Sequence, residues 1–239
     1  MKKTNVLLSG LVYLVLTAGS IICIFPFLWM VRTALVDLGQ IFQNPPKFIP
    51  DSLDWDNFAS ALSDHPFGTY FWNSILVTGL SVAGVLLTSS LCAYSFSRMT
   101  WPGRDRIFGI LLIGLMLPFF VVMIPQFIGW KTLGLTDTLV PLIAPSWFGG
   151  GVFNIFLLRQ FFMTIPKDMD EAAKMDGASH WQVYRGIILP ISKQALIVVG
   201  LLTFLGSWND FLGPLVFINI IEFITFRGGA GLLPRCCFW

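Results

Sequence analysis

Residues 73–96 read NSILVTGLSVAGVLLTSSLCAYSF, an apolar run without a charged side chain. About 20 residues of helix, each rising about 1.5 Å, cross the roughly 30 Å hydrocarbon layer of a bilayer. This run is long enough. Four other stretches match it, from about Val6 to Val31, Ile107 to Trp130, Thr138 to Leu158 and Ala195 to Ile218. The runs are continuous rather than alternating, and a helix satisfies its own backbone groups in lipid, so helices and not barrel strands are expected. The expected fold is an all-α integral membrane protein with five spans, at about 6–31, 73–96, 107–130, 138–158 and 195–218. Composition points the same way. Of 239 residues, 55% are hydrophobic and 12% charged, against roughly 25% charged in soluble domains, and mean hydropathy is +0.75. Disorder, collagen and a small disulfide scaffold are excluded. A net charge of +2, with no strongly basic region, argues against a nucleic-acid partner.

The first run follows Lys2 and Lys3 but exceeds the 7 to 15 apolar residues of a secretory signal core, so it reads as an uncleaved first helix. With the N-terminus inside, ten Lys and Arg residues fall on cytoplasmic segments, three outside and two, Arg227 and Arg235, in the tail. Positive charge is retained in the cytoplasm, which favours this orientation. Trp29, Trp72, Trp101 and Trp130 stand at or near span ends, where indoles anchor among headgroups. Pro118, Pro125, Pro141, Pro145 and Gly149-Gly150-Gly151 interrupt helix hydrogen bonding. A transport path would explain such breaks, and so would kinks in a packed bundle. Cys23, Cys92, Cys236 and Cys237 show no metal-ligand spacing. His65 and His180 stand in polar stretches and are expected to be solvated; no metal and no cofactor is expected.

Residues 32–71 form an outer loop rich in turn residues, including Asn44-Pro45-Pro46 and Pro50. Residues 159–193, inside, are better organised. Pro166 suits a first helical turn, and Asp168, Asp170 and Glu171 complement its positive end, so a helix is expected from about Pro166. Ala172 and Ala173 leave room for a partner to approach the backbone, and Glu171 can pair with Lys174 at the surface. Asp176-Gly177 marks a helix end. Trp181, Tyr184, Ile187 and Ile188 then give a second helix one apolar face, and Leu189-Pro190 punctuates the approach to the last span. Such a segment serves either as a docking element or as an amphipathic loop on the membrane surface.

The spaced set Glu171-Ala172-Ala173, Asp176-Gly177-Ala178, Tyr184, Ile187 and Leu189-Pro190 resembles the EAA loop of permease subunits in bacterial ABC importers that use a solute-binding protein. Asn73-Ser74, Pro102-Gly103-Arg104, Leu133-Gly134-Leu135 and Trp208-Asn209-Asp210-Phe211 are similar to the carbohydrate class, and especially to the second permease subunit of maltose-type transporters. The resemblance covers roughly residues 1–219 and implies a type I importer permease bundle in a bacterial cell (inner) membrane. It also implies that Glu171, Ala172, Ala173 and Gly177 sit in a groove of a cytoplasmic ATPase subunit, with Asp176 fixing the corner. The implied partners are a second permease of different sequence, two copies of the ATP-binding subunit, an extracytoplasmic solute-binding protein and a sugar. ATP chemistry is then performed elsewhere, in keeping with the lack of a G-x-x-x-x-G-K-[ST] loop in this chain, which is expected not to be an enzyme.

Asn209 and Asp210 are the polar pair of the last span, with Trp208 beside them. An ionisable residue at such a place is a candidate for the solute path, since Asn and Asp can bond sugar hydroxyls and an indole can stack on a sugar face. Equally, the pair can cap a helix break near Pro214. The resemblance has two departures: Gln194 stands where the family usually has proline, and a sixth span is missing after Asn219. Residues 220–239, with Glu222, Arg227, Gly228-Gly229 and Cys236-Cys237, make a poor span. A truncated or frameshifted version of a longer permease is expected. A permease for another solute and a non-transporting remnant are the alternative readings. Reading the encoding nucleotides in all three frames should reveal a further apolar span after codon 219; its absence from every frame defeats the truncation reading.

Overall fold

The computed structural model describes residues 6–36, 40, 53–64, 66–220 and 223–227. Asn44-Pro45-Pro46, Pro50, His65, Cys236 and Cys237 lie outside the described residues. The chain divides into two compact units, one including residues 1–66 and the other residues 67–231.

In the first unit, α1 (Val6–Ala34) is apolar on all sides and fills the first predicted span. Its C-terminal carbonyls are closed locally. Asn57 Nδ2 donates to the carbonyls of Ala34 and Val36, both at 3.3 Å, and the Asp54 amide donates to Leu35 at 2.9 Å. The Arg32 guanidinium lies 5.1 Å from the Trp29 ring centre. Asn57 belongs to α2 (Asp56–Asp64), a short helix within the loop read from sequence as rich in turns. Asp54 starts it by accepting from the Asp56 amide at 3.0 Å.

The second unit is organised on α3 (Phe67–Arg98), which contains the whole second predicted span. Its buried face is small and hydroxylic, with Ser74, Thr78, Ser81, Ser89, Ser90 and Ala93 below a tenth exposed. Ser89 and Ser90 return their hydroxyls to the carbonyls of Val85 and Leu86, both at 2.5 Å, so they add no unsatisfied donor. Without a hydrophobic force between helices in lipid, such faces let backbones come close. α6 (Val140–Trp147), α7 (Val152–Thr164) and α11 (Lys193–Trp208) all pack on α3.

The third predicted span is not one helix. α4 (Arg104–Ile113), a tight turn at Gly114–Met116 and α5 (Phe119–Thr132) form a pair bent by 100°. Pro118 supplies no amide and pushes Leu117 out of helical geometry, to ψ 121°, whereas Pro125 sits inside α5 without breaking it. The fourth span extends beyond its expected end, to Thr164, and is interrupted between α6 and α7 by Gly149, Gly150 and Gly151, at φ 90°, 63° and 85°. The break fits closely on α3: a Cβ on Gly150 would lie 3.0 Å from Val85 Cα, and one on Gly84 would meet the Trp147 indole at 2.7 Å. Asn154 Nδ2 bonds the Gly150 carbonyl at 2.6 Å.

Residues between α7 and α11 form α8 (Asp168–Met175), α9 (His180–Val183), a wide π turn (Tyr184–Ile188) and α10 (Leu189–Ile191). The segment His180–Ile191 bends by 77° into α11. The fifth predicted span is regular only to Trp208, then breaks at residues 209–211 before α12 (Leu212–Phe217). Among the described residues, three helical stretches are long and apolar enough to cross a membrane, Leu8–Ala34, Phe67–Arg98 and Val140–Thr164, and the two bent pairs raise the number to as many as five.

Gly150→Val should destabilise the protein by about 2 kcal/mol or more, through a strained positive φ and a collision with the α3 backbone. The check is thermal unfolding in detergent, where Gly10→Val, on an open α1 position, should shift the midpoint far less.

Candidate functional site

The segment from Ile165 to Ile191 is held by its interior and open on its rim. α8 starts at Asp168, two residues after the expected Pro166, because the Asp170 and Glu171 amides both bond the Lys167 carbonyl, at 2.9 and 3.1 Å. It ends as Asp176-Gly177 suggests. Gly177 takes φ 83°, the Gly177 amide bonds Lys174 at 3.0 Å and the Ala178 amide bonds Ala173 at 2.9 Å, the paired closure of a Schellman motif. The Glu171–Lys174 pair is not formed among the described residues.

A capping box then begins α9. Gln182 N donates to Ser179 Oγ at 3.3 Å, and Ser179 N donates to Gln182 Oε1 at 2.7 Å. The spacing Ser179-x-x-Gln182 carried this signal. At the π turn the Leu189 amide bonds the Tyr184 carbonyl five residues back, just before Pro190, whose ring crowds the Gly186 carbonyl and offers it no amide.

Exposure divides the ten residues of the sequence signature. Glu171, Ala172, Asp176, Gly177 and Pro190 are exposed, whereas Ala173, Ala178, Ile187 and Leu189 are half-buried and Tyr184 is buried. The second group packs on a core of Tyr94, Leu158, Phe162, Val183 and Ile188 and holds the segment in place. Trp181, expected on the apolar face, is exposed, and beside Gly177 stands Met175, 84% exposed.

Arg98 is the anchor that sequence reading passed over. Its Nη2 donates to the carbonyls of Phe162 and Ile165, at 2.6 and 2.7 Å, and its Nη1 lies 3.3 Å from Asp170 Oδ2. Arg98 thus satisfies carbonyls at the end of α7 and ties down the first turn of α8. Both side chains are buried, at 2% and 8% exposure, and removing one partner of such a pair costs about 3–5 kcal/mol. From sequence, Arg98 counted as one cytoplasmic charge and Asp170 as one helix-end acid. Two contacts accompany the pair: Ser90 Oγ and Tyr184 OH at 2.8 Å, and Tyr94 OH and His180 Nδ1 at 3.4 Å. His180, expected to be solvated, is exposed, and one edge of its ring also meets Tyr94 at 6.5 Å between ring centres.

The second predicted cluster lies at the opposite end of α3. Trp208 stacks on Phe204 at 5.7 Å and meets the edge of Phe71 at 6.0 Å. Asn209 Nδ2 donates to the Leu205 carbonyl at 2.9 Å, and its Oδ1 accepts from Arg227 Nη1 at 2.7 Å. Asp210 has a different neighbour: its Oδ1 accepts the Gly213 amide at 3.0 Å and so caps α12. Capping, one of the two readings of the polar pair, describes Asp210; Trp208 and Asn209 face Phe71 and Arg227. Asn73 Nδ2 bonds the Ile224 carbonyl at 3.1 Å and Ser74 Oγ accepts the Phe226 amide at 2.8 Å, which places residues 223–227 beside this break. Among the described residues, no group of three His, Cys, Asp or Glu side chains could hold a metal.

Residues 85–229 match the family described as the binding-protein-dependent transport system inner membrane component. The chain belongs to this family. It is a multi-pass membrane permease subunit with the type I importer fold. It is 34% identical over 206 residues to the diacetylchitobiose uptake system permease protein of Streptomyces coelicolor, covering 86% of this chain and 68% of that one. It is 32% identical over 207 residues to the lactose transport system permease protein of Rhizobium radiobacter, covering 87% and 74%. The fold matches a chain in the crystal structure of a bacterial ABC transporter involved in import of the acidic polysaccharide alginate, with TM-score 0.79 and 24% identity, over 95% of this chain and 80% of that one. The family match runs ten residues past Asn219, and the packing of residues 223–227 on Asn73 and Ser74 agrees with that extension of the permease.

Three substitutions probe the local geometry of this permease. Gly177→Ala should cost about 1–2 kcal/mol by forcing a Cβ into the left-handed region, and Ser179→Ala about 1 kcal/mol by removing the cap. Hydrogen exchange across α8 and α9 should accelerate in both, while α3 stays protected. Asp210→Ala should in the same experiment loosen α12.

Proposed function

We propose that this chain is the membrane-spanning subunit of an ATP-driven importer that carries a sugar by alternating access. Two ATP-binding subunits work from the cytoplasmic side through residues 168–190, a second permease of different sequence completes the path, and a solute-binding protein delivers the sugar from outside. The N-terminus is cytoplasmic. ATP closes the paired ATP-binding subunits, their movement enters through the exposed rim of α8, and the two permeases open toward the binding protein.

The observation that carries this reading is the division of one short segment into two surfaces. Glu171, Ala172, Asp176 and Gly177 are presented outward with little side-chain bulk at the two small residues, while Tyr184, Val183 and Ile188 fix the segment's inner side. A surface meant only to lie on lipid has no use for Asp168, Glu171 and Asp176 beside the small residues. At the far end, Trp208 and Asn209 supply an aromatic face and an amide, the pairing that binds a sugar's C–H face and hydroxyls. The related permeases named for diacetylchitobiose and lactose uptake support a sugar over another small solute.

The test is co-purification with the candidate ATP-binding and permease partners, wild type against Gly177→Pro, followed by transport in vesicles. The wild type should form a complex whose ATP turnover rises with sugar-loaded binding protein and which takes up radiolabelled sugar. Gly177→Pro should lose the ATP-binding subunit while keeping the partner permease. Absence of any complex with the wild type would favour the non-transporting remnant, and uptake of a different solute would replace the sugar.

A further inference from the structure

The coupling segment's neighbours in the chain are α7 and α11, yet its polar contacts converge on α3. Ser90, Tyr94 and Arg98 are four residues apart and therefore line one face of that helix, a turn above one another. Each holds a different part of the segment: Ser90 holds Tyr184 of the π turn, Tyr94 holds His180 at the start of α9, and Arg98 holds Asp170 in the first turn of α8. From this juxtaposition we infer that α3 is the element that receives the coupling movement, and that the ladder Ser90–Tyr94–Arg98 is its handle. The inference rests on the reading of residues 168–190 as the ATPase-coupling segment.

Two physical points carry it. First, the ion pair is poorly suited to stability alone. It is not a two-pronged fork, and Arg98 Nε and Asp170 Oδ1 are buried without a hydrogen-bond partner. A buried pair with unsatisfied atoms is matched or bettered in stability by apolar side chains of similar volume. What apolar contacts lack is direction: they let surfaces slide, whereas an ion pair with two carbonyl bonds fixes register. Second, α3 is unbroken over 32 residues and at its other end binds residues 224 and 226 through Asn73 and Ser74, beside the break that carries Trp208 and Asn209. At about 1.5 Å per residue it spans the distance from the coupling segment to that break as one rod, while α4–α5 and α6–α7 are interrupted on the way and α11, unbroken to Trp208, leaves the segment through a 77° bend. Arg98 and Asp170 are thus positioning residues for transport.

The experiment uses the assembled transporter in proteoliposomes with its ATP-binding subunits, partner permease and binding protein, and compares wild type, Arg98→Lys and the double variant Arg98→Met/Asp170→Leu. The readouts are thermal unfolding, stimulation of ATP turnover by loaded binding protein, and sugar moved per ATP hydrolysed. The double variant, which leaves the Phe162 and Ile165 carbonyls without the Arg98 donor, should still assemble and should unfold modestly below the wild type, yet lose about 5- to 150-fold in sugar moved per ATP, the span of ordinary coupling energies. Arg98→Lys, which keeps the charge, should recover part of that loss. A double variant that transports within twofold of wild type overturns the inference and leaves the coupling segment intact as a reading. A wild type whose ATP turnover ignores the loaded binding protein instead overturns the coupling reading, and the inference with it. If the double variant does not assemble, Tyr184→Phe decides by the same readouts: a reduced sugar-to-ATP ratio supports the ladder, and an unchanged ratio overturns it.

Discussion

Backbone amides and carbonyls in a hydrocarbon solvent must find partners inside the protein, and the breaks in the described spans are shaped by that demand. α3 meets it by never breaking. Where other helices stop, a specific group takes over: Asn154 on the Gly150 carbonyl, Asp210 on the Gly213 amide, Arg98 on the carbonyls of Phe162 and Ile165. Most of the polar residues that stand out in the apolar sequence can be understood first as backbone partners and only then as functional groups. Asp210 is the clearest instance. The lone acid of its span is occupied by the Gly213 amide, and glycine at 213 leaves room for that contact, because a Cβ there would press on the Asp210 carboxylate and Leu142.

The same demand governs how much could be read from residues alone. α1 and α3 were legible because each is a single uninterrupted run, for which length and hydropathy are sufficient. The Asp176-Gly177 corner was legible because glycine at a left-handed position is a local requirement. The third span was not legible as a bent pair, since Pro118 and Pro125 are alike in sequence and only the packing decides that one ends a helix and the other is absorbed. Nor was Arg98. Its meaning depends on Phe162, Ile165 and Asp170, more than 60 residues away, and no local pattern reports a contact of that separation. The π turn before Pro190 and the helix at Asp56–Asp64 fall between these cases, visible afterwards in a missing amide and an acidic start.

At the signature segment, sequence similarity and structural role separate. The residues resembling the EAA loop form one string in the chain, yet half of them turn inward. Tyr184, Ile187 and Leu189 fix the platform, and Glu171, Ala172 and Gly177 stand on it. Burial sorts such a signature into residues that face outward and residues that hold them still.

The glycine run at 149–151 has a consequence for how the chain is made. Three consecutive positive-φ glycines have no preferred shape of their own, and the middle one, Gly150, is fitted against Val85 and Ser89 on α3. That template lies some 60 residues earlier in the chain. Synthesis from the N-terminus therefore delivers the mould before the part cast in it. A circularly permuted chain that placed α6 and α7 ahead of α3 would present lipid with a break that has no surface to set its form.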